Sequence, residues 1–71
     1  MQKRERLINE LSKKLGSGTN SFNVLVFQFK RKYPTYINLI REISKAETSF
    51  DTSNELSDEE LDKLIMEIKK I

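Results

Sequence analysis

Large apolar residues return every three or four positions along most of this chain, a period that suits α-helices packed on one another and little else. Leu7, Leu11 and Leu15, widened by Ile8, form one such stripe, and Phe22, Leu25, Val26, Phe29 and Tyr33 form a second. Tyr36, Leu39, Ile40 and Ile43 make a third, and Leu61, Leu64, Ile65, Ile68 and Ile71 carry a fourth to the last residue. With 71 residues and no cysteine, there is neither a disulfide staple nor room for two cores. The expectation is a single all-α domain, a small three- to four-helix bundle whose stripes face one another.

Breaks between the stripes set the boundaries. Gly16-Ser17-Gly18-Thr19-Asn20 is rich in turn formers, and Gly16 stands where a helix C-terminus most often needs glycine, so the first helix is expected over 2–15, with Glu10 and Lys14 paired along its surface. A second helix over 21–33, capped by Asn20 or Ser21, fits the spacing of Phe22 to Tyr33. The run Asn23–Phe29 is also β-branched and aromatic enough to be a strand. Pro34 cannot continue that helix, so the chain turns and a third begins at Thr35, running over 35–46 with Tyr36 in its buried stripe and Asn38, Arg41, Glu42 and Lys45 in water. Residues 47–56 shift to Thr, Ser, Asp and Asn and are expected as a flexible loop, with Phe50 tacking it to the core or anchoring a partner. Ser57 and Glu60 then make a capping box, and Leu56 and Leu61 a hydrophobic staple, for a fourth helix over 57–71.

Several function classes lack their residues. The chain has no histidine and no cysteine, which removes the usual general base near neutral pH and the usual zinc ligands. Asp58, Glu59, Glu60 and Asp62 cluster at a helix start with no apolar pocket around them, and their spacing is not that of a calcium loop. The glycine-rich stretch lacks the following Gly-Lys-Ser/Thr of a phosphate-binding loop. A non-enzymatic protein is expected, with no cofactor, no metal and no small-molecule substrate. No basic stretch leads into an apolar segment near the N-terminus, and no apolar run approaches the roughly 20 residues of a spanning helix, so a cytoplasmic protein with no membrane partner is expected.

Charge is the remaining signal. Residues 1–45 carry ten Lys and Arg against three Glu, a net of +7, whereas residues 46–71 carry three Lys against eight acids, a net of −5. Either the two ends attract each other in the fold, or the basic half meets an anionic partner. On the second helix, Val24 and Phe27 fall off the main stripe beside Lys30, Arg31 and Lys32, so the helix is apolar nearly all round: either it is central in the bundle, or this face invites a protein partner, with self-pairing as a homodimer a further alternative. The function expected is a small regulator, inhibitor or adaptor acting by protein binding. Heavy use of Lys, Ile and Asn suggests an AT-rich source, and the length suits a phage or mobile-element protein. The alternative is a helix-turn-helix-like regulator that binds nucleic acid through Lys30, Arg31, Lys32, Thr35, Asn38, Arg41 and Lys45.

Overall fold

The periodicity is realised in a computed structural model that describes residues 2–50 and 56–71. Four helices follow one another: α1 (Lys3–Leu15), α2 (Phe22–Lys32), α3 (Ile37–Phe50) and α4 (Asp58–Lys69), with no strand among the described residues. Asn23–Phe29 is therefore helical: Phe22, Leu25, Val26 and Phe29 are all buried, so the helical spacing outweighs the β-branched composition. Each helix packs on its neighbours in chain order, and α4 closes the ring on α1. The core is the expected stripes brought together, Leu7, Ile8 and Leu11 from α1 against Leu25 and Phe29 from α2, Ile43 and Ala46 from α3, and Leu61, Leu64, Ile65 and Ile68 from α4. The radius of gyration of 11.1 Å is the value that compact chains of this length follow.

The connections show why the ring closes. Gly16 adopts the left-handed conformation (φ 63°) and ends α1 in a Schellman arrangement, its N–H donating to the Lys13 carbonyl and the Ser17 N–H to the Ser12 carbonyl at 3.1 Å. Between α2 and α3, Pro34 and Thr35 form a tight turn closed by the Tyr36 N–H donating to the Tyr33 carbonyl at 3.2 Å. Phe22, at the start of α2, meets Phe50, at the end of α3, with ring centroids 5.9 Å apart, so these two helices are antiparallel. Along α1 and α4 the partners advance together: Lys3 donates to the Leu56 carbonyl, Arg6 pairs with Asp62, Glu10 lies 3.9 Å from Lys69, and Lys14 donates to the Ile71 carbonyl. α1 and α4 are thus parallel, and the basic start of the chain is partly neutralised by the acidic α4.

Several boundaries and contacts differ from the sequence expectation. α3 begins at Ile37, two residues later than expected, because Thr35 is held in the turn. Tyr36 consequently precedes the helix and is exposed, packing edge-on against Tyr33 at 5.9 Å rather than joining the buried stripe. α3 also continues through Phe50, although the composition of Glu47–Phe50 predicts the start of a flexible loop. Thr48, Ser49 and Phe50 have weak helix propensity, but tertiary contacts override it: Phe50 packs on Phe22, and the Asn23 amide, oriented to satisfy both groups, reaches the Glu47 carboxylate at 2.8 Å. Phe50 does tack the end of α3 to the core, whereas the rest of the expected loop, residues 51–55, lies outside the described residues. Ser21 occupies the N-cap position of α2 without a side-chain capping bond; its N–H instead donates to Thr19 Oγ1 at 3.1 Å. Glu10 and Lys14 turn to α4 and the chain's last residue rather than to each other.

Candidate protein-binding surfaces

The register of α2 decides what its outer face offers. Burying Phe22, Leu25, Val26 and Phe29 leaves Phe27 at the centre of the opposite face, 59% exposed, with Val24 beside it at 42%. Both are among the large apolar side chains the fold leaves in water. Arg31 is one turn on from Phe27, and its guanidinium carbon lies 5.9 Å from the Phe27 ring centroid, a cation–π arrangement that holds the cation over the aromatic face. Lys30 flanks Phe27 from the other side, exposed. Lys32 is five residues on from Phe27, and at about 100° per residue this turns it to the far flank, where its ammonium sits 5.6 Å from the Tyr33 ring. The expected surface is therefore sorted by the helix into Val24, Phe27, Lys30 and Arg31 on one face and Lys32 at its edge. Among the described residues no carboxylate comes within ion-pair distance of Lys30, Arg31 or Lys32.

The residues of the nucleic-acid alternative are all exposed but do not form one basic surface. Asn38, Arg41 and Lys45 lie on the side of α3 facing away from buried Ile43. Lys45 is 3.6 Å from Glu42, and Asn38 and Arg41 border a groove that also contains Glu67 of α4. Thr35 is fixed in the turn, and Lys30 points from the outer face of α2.

That groove is the feature the sequence did not announce. It runs between α3 and α4 as two adjoining depressions of about 620 and 400 Å³ that share Asn38, Leu39 and Glu67. Its floor is Leu39, Leu56 and Leu64, and at its far end Ile37 is 57% exposed. Leu39 and Leu56 had been read only as core stripe and hydrophobic staple; each is half-buried, one edge in the core and the other in the groove. The signal available in the sequence was Ile37, which falls off the Leu39–Ile40–Ile43 stripe much as Phe27 falls off that of α2.

Among the described residues there is no cluster of three or more groups placed to hold a metal ion, and no helix is long and apolar enough to cross a membrane. No protein-family model, no curated protein sequence and no solved structure matches the chain.

Proposed function

We propose that this chain is a non-enzymatic binding module of the cytoplasm, a regulator, inhibitor or adaptor that docks on a partner protein through the outer face of α2. One observation carries the proposal: Phe27 stands exposed at the centre of a helix face with the Arg31 guanidinium over its ring at 5.9 Å. Aromatic and arginine side chains at the centre of a patch are the types that dominate protein interfaces, because they bury large areas and bring a directional charge with little loss of rotamer freedom. Three cations with no acidic partner among the described residues favour an acidic or mixed surface on the other protein. The carboxylates of Glu42, Glu60 and Glu67 border α3 where a helix-turn-helix would approach phosphates, which weighs against the nucleic-acid alternative.

The test is affinity capture from the host cell with wild type beside Phe27→Asp and Lys30→Glu/Arg31→Glu/Lys32→Glu. Wild type should retain a protein that both variants lose. An identical set of captured proteins from all three would overturn the proposal. Titration against random duplex DNA at low salt separates the alternative, which requires binding that falls steeply with salt concentration.

A further inference from the structure

We infer that the groove between α3 and α4 is a second docking site, and that its occupant is a basic amphipathic helix of another protein. The inference does not depend on the role of α2, since no residue of α2 lines the groove. Its shape is that of a helix-binding groove: an apolar floor of Leu39, Leu56 and Leu64 between two helical walls, extended by Ile37 and Ile71. Its charge selects the occupant. Among the described residues the depression over the leucine floor is walled by Glu42, Glu60 and Glu67 against Lys63; Glu42 also lies 3.6 Å from Lys45 and Glu67 3.8 Å from Lys70, but exposed pairs of this kind are worth little, so an apolar helix carrying Lys or Arg along both flanks satisfies floor and walls together. At the other end the balance reverses, with Arg41 and Lys70 against the shared Glu67, 3.8 Å from Lys70, around the depression containing Ile37 and Ile71. The groove is therefore directional: the occupant's cations lie over Glu42 and Glu60, and an acidic residue or a helix C-terminus lies against Arg41 and Lys70.

The experiment is an amide chemical-shift titration of the full chain with two synthetic helical peptides. One alternates Leu with Lys at amphipathic spacing, and its counterpart replaces each Lys with Glu. The Leu/Lys peptide should shift the amides of Leu39, Glu42, Leu64 and Glu67. The Glu42→Lys/Glu67→Lys variant, altered only at exposed positions, should weaken it by about tenfold or more, as expected for reversing two rim charges. Lys30→Glu/Arg31→Glu should leave that affinity unchanged. Equal binding of the Leu/Glu peptide, absence of binding, or shifts centred on Val24 and Phe27 would overturn the inference. So would concentration-dependent self-association abolished by Glu42→Lys/Glu67→Lys, because the groove would then belong to a second copy of the chain.

Discussion

Two glycines two positions apart serve different ends. Gly16 holds φ at 63°, where a Cβ crowds the backbone, yet nothing lies within 4 Å of the site a Cβ would occupy. The cost of Gly16→Ala is therefore conformational only, about 1–2 kcal/mol for the left-handed region. Gly18 has equally open space and no positive φ, so Gly18→Ala restricts the unfolded chain without straining the folded one and should be neutral or stabilising by up to about 1 kcal/mol. Urea denaturation of both variants checks the contrast, and equal effects would show that Gly16 is not held by its backbone. Ser57 is the other residue whose local role is sharp: its hydroxyl accepts from the Glu60 N–H at 3.2 Å, while Glu60 accepts from the Ser57 N–H at 3.3 Å. Ser57→Ala removes the acceptor of the Glu60 N–H at the start of α4 and should cost about 1 kcal/mol, lowering Tm by about 4–8 °C in a domain of this size.

Elements were legible in proportion to how local their determinants are. α1 and α4 matched expectation because their stripes, the glycine terminator and the capping box all act within a few residues. α2 was readable as a helix once spacing was set above β propensity; the same spacing turns Val24 and Phe27 off the main stripe, but only the packing shows that they lie in water rather than in a helix surrounded by its neighbours. α3 was misread at both ends, since its start is fixed by a turn that retains Thr35 and its last turn is held by Phe22 and Asn23 of another helix. No local pattern records those contacts. The groove escaped for a related reason: Leu39 and Leu56 satisfy a stripe and a staple on paper, and only the spacing of α3 from α4 shows that each has an uncovered side. Between α1 and α4 the Arg6–Asp62 pair is open to solvent and contributes about 0.2–1 kcal/mol, whereas Glu10, beside Lys69, is mostly buried. Arg6→Gln should therefore shift the urea midpoint only slightly, and the shift should shrink in high salt; a large, salt-independent loss would mean that the Arg6 stem, not its charge, holds α1 to α4.

For the whole molecule, the charge imbalance between the two ends of the sequence is only partly consumed internally. Lys3, Arg6 and Glu10 face α4, but Lys30, Arg31 and Lys32 stay on α2, and Glu42, Glu60 and Glu67 wall the α3–α4 groove. The ring thus presents a cationic aromatic face on α2 and an apolar groove bordered by carboxylates between α3 and α4. Its stability rests on few side chains, since a domain this small is held by only about 4–10 kcal/mol in total. Leu25 is fully buried at the centre of α2, and Leu25→Ala should remove about 2–5 kcal/mol by losing apolar burial and leaving a cavity. Phe27, two residues on, is the larger side chain but lies mostly in water, so Phe27→Ala should change stability by no more than about 0.5 kcal/mol. Paired urea denaturations measure both. Large loss for Leu25→Ala with near silence for Phe27→Ala would show that the phenylalanine is not required to hold the fold, leaving partner binding as the effect to assign to it. If Phe27→Ala destabilised the chain as much as Leu25→Ala, Phe27 would belong to the core in solution, and the outer face of α2 would lose its central contact.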